Sequence, residues 1–193
     1  MNPLLNVVSP SATDMIRMDH TRVMATFHRY ALDASPRTKH GIVEMICLSL
    51  EVHAQVEEEI FYPALRAAGS AEVAKAFPEH AEMRALIAAL RAMDPASEQY
   101  DATFMDLMRA VIHHVADEET MLLPHAEALL ADRLGELGRQ MSKRRLQLAR
   151  PRTGAMVRST ARALPPRAIL IGMGALFAGA FALRRLISVT NPR

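Results

Sequence analysis

The chain has 193 residues, half of them hydrophobic, with a single cysteine, no tryptophan and few other aromatics. That length suits one main domain with an appendage, the lone cysteine excludes an intramolecular disulfide, and the wealth of Ala, Leu, Met, Glu and Arg predicts a helical protein rather than a sheet. The net charge of +2 hides an asymmetry: all 21 acidic residues lie at or before Glu136, with 11 basic ones, whereas the 12 basic residues beyond it have no acid among them. A boundary near residues 132–138 follows.

Residues 1–12 form an N-terminal lead with neither a basic start nor a long apolar run, so no secretory signal is read there. From Thr13, read as an N-cap, apolar residues recur at Met15, Ile16, Val23, Phe27 and Tyr30 until Ser35-Pro36 ends helix one. Helix two is predicted over residues 37–67, with Cys47 buried and Gly69 as the stop. Pro63 removes a backbone hydrogen bond late in it, which predicts a kink. Helix three is predicted over 71–93, interrupted or restarted at Pro78, and helix four over 97–131, kinked at Pro124. Residues 13–132 are therefore expected to form an all-α, up-down-up-down four-helix bundle.

Two stretches share one plan. His53-Ala54-Gln55-Val56-Glu57 and His114-Val115-Ala116-Asp117-Glu118 both read His-x-x-x-Glu, each with Pro ten residues after the His. Four residues along a helix return to the same face, so each pair offers an imidazole and a carboxylate to one point. Two further histidines complete the set: Asp19-His20 and Glu79-His80 stand 33 and 34 residues before His53 and His114. His20 and His53 lie about equally far from their connecting loop, and so do Glu57 and His80, and His80 and His114. In an antiparallel bundle that brings all six groups to one level.

Unpaired carboxylates cannot simply be packed in a core, because burying the charge costs more than apolar contacts return. A pair of cations resolves the problem, with two His for each metal and both carboxylates bridging. Carboxylate and imidazole donors in six-coordinate geometry favour iron or manganese over structural zinc.

The set His20, His53-x-x-x-Glu57, His80, His114-x-x-x-Glu118 resembles the hemerythrin-like HHE cation-binding family over residues 11–132. The resemblance implies a four-helix bundle with a non-haem di-iron centre that meets O2 and, in some members, peroxide, nitric oxide or iron itself. It carries those six residues over as metal ligands. Oxygen-carrying hemerythrins have a fifth histidine one turn after the third-helix histidine, where this chain has Arg84. Its absence argues against reversible O2 carriage and for either a site with two accessible irons or one with an oxygen ligand from Tyr or Glu, with Glu58, Tyr62 and Glu119 as candidates. His28, His40, His113 and His125 are read as lying outside the site, and Met24, Met45, Met83, Met108 and Met121 as core filler.

Past the bundle, residues 133–167 read as a short basic amphipathic helix followed, from 149, by a linker containing Pro, Gly, Ser and Thr. Without stacking aromatics this basic strip is not read as a nucleic-acid site. Residues 168–183 are uncharged and mostly apolar between Arg167 and Arg184-Arg185, predicting a membrane helix over about 168–190, with a Gly174-x-x-x-Ala178 spacing suited to homodimer pairing. Nine basic residues from Arg139 to Arg167, against three beyond the segment, place the bundle in the cytoplasm. The expected function is a membrane-tethered di-iron protein that senses or scavenges O2, NO or peroxide. The alternatives are a non-catalytic iron-binding or iron-sensing module and a metal-stabilised membrane interaction protein.

Overall fold

A computed structural model describes residues 10–163. Helix α1 spans Ala12–Phe27, and its cap is Ser11 rather than Thr13: the Ser11 backbone is extended, and its Oγ accepts from the Asp14 N–H at 3.2 Å. Helix α2, Pro36–Val56, starts on the same device, with Ser35 capping Thr38 at 3.2 Å. Pro36 occupies the first helical position, where a missing N–H costs nothing. Helix α3, Tyr62–Ala67, continues this rod to Gly69, whose φ of 92° is the left-handed stop the sequence predicted.

Helix α4 runs from Val73 to Ala92 without a break at Pro78. Helix α5, Glu98–Asp117, and helix α6, Leu123–Leu129, make the fourth rod. Short connections join the rods, and α1 packs on α2 and α4 on α5, giving the four-helix bundle. No strand occurs among the described residues.

The chain passes Pro63 and Pro124 by means of two wide turns. Residues Glu57–Phe61 and Glu118–Leu122 form π-helical turns, in which the Tyr62 N–H bonds to the Glu57 carbonyl and the Leu123 N–H to that of Glu118. A proline removes one helical hydrogen bond and crowds the carbonyl four residues back; a single five-residue step absorbs both effects. Each wide turn begins on the glutamate of a His-x-x-x-Glu motif.

The core falls into two parts. Met15, Ile16, Val56, Phe61, Leu65 and Leu123 lead one apolar cluster, and Val23, Phe27, Ile46, Met83, Leu107 and Val111 lead the other. On α1, α4 and α5 the motif residues fall in sequence between the two sets, and on the second rod His53 and Glu57 are interleaved with Val52 and Val56 of the first set, so a polar layer lies between two apolar ones. Cys47 is buried as expected, and burial pushes its thiol up to about 12. Met121, expected in the core, is 62% exposed.

The larger departure is helix α7, Leu134–Ala163. The linker expected from residue 149 is helical as far as Ala163, and Pro151 stands inside the helix on its exposed side. Leu137, Gly138, Met141, Leu148, Ser159 and Ala163 are buried where α7 lies along α1 and α2. Its cations meet the bundle's acids: Arg144 grips Glu59 at 2.5 and 2.9 Å, and Arg145 reaches Asp19 at 2.5 Å. The basic and acidic halves of the sequence thus face each other. A proline inside a helix costs about 3 kcal/mol, and burial on both sides of Pro151 offsets it.

Gly41 marks how closely α7 lies, since a Cβ there would come within 2.5 Å of the Ala163 backbone nitrogen. Gly41→Val is expected to cost about 1–3 kcal/mol in chemical denaturation and to expose the end of α7 to proteolysis. An unstructured linker over 149–163 would leave both measurements unchanged.

Among the described residues no helix is long and apolar enough to cross a membrane. The segment read as a membrane helix, residues 168–190, lies outside the described residues, as does its pairing motif.

Candidate metal centre

His20 comes from α1, His53 from α2, His80 from α4 and His114 from α5, while Glu57 and Glu118 open the two π-helical turns. The structure brings all six into the layer between the apolar clusters, and all six are buried. Ring centroids are 5.0 Å apart for His20 and His53 and 4.7 Å for His80 and His114. The Nε2 atoms of His53 and His80 lie 3.2 and 3.5 Å from Glu57 Oε2, and those of His20 and His114 lie 3.3 and 3.5 Å from Glu118 Oε2.

Two overlapping groups have donor atoms mutually within 4.8 Å: His20, His53, His114 and Glu118, and His53, Glu57, His80 and His114. They share His53 and His114, whereas the sequence suggested that both carboxylates would be shared. Tyr62 enters the same space, its Oη donating to Glu118 Oε1 at 2.8 Å and lying 3.3 Å from both Glu57 Oε2 and His80 Nε2.

Among the described residues, four buried side-chain atoms lack any hydrogen-bond partner: His20 Nε2, His53 Nε2, Glu57 Oε1 and Glu118 Oε2. Each such group costs about 1–3 kcal/mol, and all four belong to this one layer. The charges conflict as well. Burial and the neighbouring Glu118 push the Glu57 carboxyl well above the usual carboxylate range. Burial also works to raise Glu118, but His20, His114 and His53 outweigh it and bring it down to about 2. Burial, with His114 and His53 beside it, pushes His80 down to about 4. Cations satisfy the orphaned lone pairs and both carboxylates together, so these residues fit a metal centre.

A second ring of carboxylates surrounds the first. Glu58 lies 2.9 Å from His80 Nδ1, Glu79 lies 2.8 Å from His114 Nδ1, Glu119 lies 2.9 Å from His20 Nδ1, and Asp19 lies 3.9 Å from His53 Nδ1. An ionised carboxylate only accepts, so at His20, His80 and His114, where the acid is within hydrogen-bond distance, Nδ1 carries the imidazole proton and Nε2 turns its lone pair inward. The pattern is cyclic: each rod supplies an acid to the histidine of the next rod round the bundle, and each acid is the immediate neighbour of an inner-ring residue.

Glu58 and Glu119, candidates for an extra ligand, thus stand behind the imidazoles, and Tyr62 stands inside. The Asp-His and Glu-Glu pairs were the available signal for the outer ring. Which imidazole each acid would face was not. Arg84, in place of the fifth histidine, points to Glu58 at 2.8 Å. His28 and His113 are exposed, and His40 and His125 are half-buried away from the layer. Glu119→Gln and Glu58→Gln should each weaken metal affinity by about 10–100-fold, measured by competition with a chelator while the helical content stays unchanged.

Residues 11–126 match the hemerythrin HHE cation-binding domain. The chain belongs to the hemerythrin HHE family. A hemerythrin HHE cation-binding domain-containing protein from Mycobacterium kansasii has the same fold, with a TM-score of 0.64 over 80% of this chain and 95% of that one at 19% identity. A DNA nickase from Nostoc sp. (strain PCC 7120) is 30% identical over 110 residues, 56% of this chain. The match spans 31% of the Nostoc protein. Both rings of the hemerythrin site and Tyr62 fall inside the matched region, and α7 lies beyond it.

Proposed function

We propose that this hemerythrin-family chain is a non-haem di-iron protein that binds or reacts with O2, NO or peroxide as a sensor or scavenger. Its proposed ligands are His20, His53, Glu57, His80, His114 and Glu118. The supporting observation is the set of four orphaned donor atoms, two imidazole nitrogens and two carboxylate oxygens, gathered in one buried polar layer. Two irons held by these residues would supply electron transfer and a place for a small ligand to bind, and manganese suits the same donors.

The protein residues do the rest. Apolar clusters on both sides exclude water, and the outer carboxylates keep the imidazoles aimed inward. Tyr62 holds a proton: burial and the flanking Glu57 and Glu118 push its phenol upward, so it stays a hydrogen-bond donor within the layer. A small oxygen or nitrogen ligand arriving there meets that donor. With Arg84 turned away to Glu58, no fifth imidazole closes the site, which supports reaction or sensing over simple carriage.

The reading extends to a membrane tether through residues 168–190, with the bundle facing the cytoplasm. Its support is the uncharged run between Arg167 and Arg184 and the basic excess before it. A chain lacking residues 164–193 should leave the membrane fraction, and continued sedimentation with membranes would refute the tether.

Stopped-flow mixing of the reduced, iron-loaded protein with O2, hydrogen peroxide or NO tests the chemistry. A rapid coloured adduct is expected with at least one of them. Slow, unproductive oxidation with all three would instead favour a non-catalytic iron-binding module.

A further inference from the structure

The inner ring is buried, so an arriving cation needs a route: a wide cavity of about 420 Å³, with Glu58, Arg84 and Arg152 in its lining, ends on His80, and a small one ends on Glu118. The small cavity, about 40 Å³, is lined by Glu72, Lys75, Glu79, Asp117 and Met121, and it reaches Glu118. It has room for one or two water-sized particles. Glu118 is buried, and its Oε2 has no hydrogen-bond partner.

At the outer rim, Glu79, His113 and Asp117 bring one donor atom each within 4.8 Å of one another. His113 Nε2 is 4.0 Å from Asp117 Oδ2. The pair copies the inner His114-x-x-x-Glu118 motif one residue earlier, which turns it about 100° round the helix toward solvent. The first motif has no such copy: the residues before His53 and Glu57 are Val52 and Val56, both buried. Glu79 joins the two levels, because its Oε2 holds His114 Nδ1 at 2.8 Å and its carboxylate also brings an oxygen within 4.8 Å of the rim donors.

We propose that Glu79, His113 and Asp117 form an outer capture site for a divalent cation, at the mouth of the route by which metal reaches Glu118. One imidazole and two carboxylates suit Fe(II) or Mn(II). His113 is 71% exposed on its side chain, so water completes the coordination and the ion exchanges readily. The acidic rim raises the local concentration of cations over the cavity. This proposal rests on the metal-centre reading, and its test separates the two.

The variant is His113→Gln with Asp117→Asn, which alters exposed positions and leaves both rings intact. Mn(II) binding to the metal-free full chain, counted by electron paramagnetic resonance, should show two tight ions and a third, exchangeable one in the wild type. The variant should lose the third, with circular dichroism unchanged. Loading with Co(II), followed by its visible absorption, should be roughly tenfold slower in the variant and no longer slowed by salt. A third ion that persists in the variant, a wild-type chain that takes up only two, or equal loading rates would overturn the capture site. A wild-type chain that binds the exchangeable ion but not the tight pair would leave the capture site standing and remove the inner metal centre.

Discussion

Replacing His53 and His114 together by alanine is expected to abolish stoichiometric metal binding altogether, because those two imidazoles belong to both donor groups of the inner ring. His20→Ala touches one group and should retain one of two ions. Metal analysis of dialysed protein distinguishes these outcomes, and two ions retained in the double variant would defeat the ligand assignment. The stability effect is large as well. A ligand present at a thousandfold excess over its dissociation constant stabilises the folded state by about 4 kcal/mol. At about 2–4 °C per kcal/mol for a domain of this size, metal-loaded wild type should melt roughly 8–16 °C above the double variant. The two metal-free proteins should differ by less, since the wild type then carries the same orphaned carboxylates.

Without metal, stability should fall as pH rises through neutrality. Burial and Glu118 raise the Glu57 carboxyl in the folded state above its ordinary 4.5, so its contribution is complete below that value and is lost as pH climbs through the raised one. His20 has the same sign: burial opposes it, but Glu118 and Glu119 prevail and lift it above 6.5. His80, pushed by burial down to about 4, has the opposite sign, and its contribution is complete only above 6.5. Above 6.5 the first two therefore act unopposed by His80. Each proton so linked changes stability by about 1.4 kcal/mol per pH unit. The melting temperature of the metal-free protein should drop over that range, Glu57→Gln should make the drop shallower, and bound metal should remove it. A flat or rising profile for the metal-free wild type would refute the charge conflict described for Glu57 and His20.

Periodicity made the rods visible because helix formation and the His-x-x-x-Glu spacing both act within about one turn. Ser35-Pro36 and Gly69 marked ends for the same local reason. The prolines at 63 and 124 were visible as disturbances, but not as wide turns, since an α-helix can answer a proline by kinking, breaking or inserting a residue. The choice made here moves Glu57 and Glu118 into the buried polar layer together with Tyr62. Glu58 and Glu119 were candidates for an oxygen ligand in place of the missing fifth histidine, but adjacent residues point about 100° apart, and only the crossing of neighbouring rods decides which imidazole lies in that direction.

The basic stretch after Glu136 was the hardest to read. Its apolar residues are sparse, and Pro151 and Gly154 weaken any local helical signal. Docking on α1 and α2 supplies what local propensity lacks, through buried Leu137, Met141 and Leu148 and through Arg144 and Arg145 on Glu59 and Asp19. Arg145 thereby contacts the acid that faces His53, which links α7 to the outer ring.

From the amino-acid order alone came the helical rods, the duplicated motif and the equal heights that bring six donors to one level, because these depend on rise and turn along a single helix. Tertiary structure decided which carboxylate stands behind which imidazole, that Tyr62 shares the inner space, and that a fifth helix closes over the bundle. Those outcomes depend on contacts between distant residues, such as Arg145 with Asp19, 126 positions apart. No local rule reaches that far.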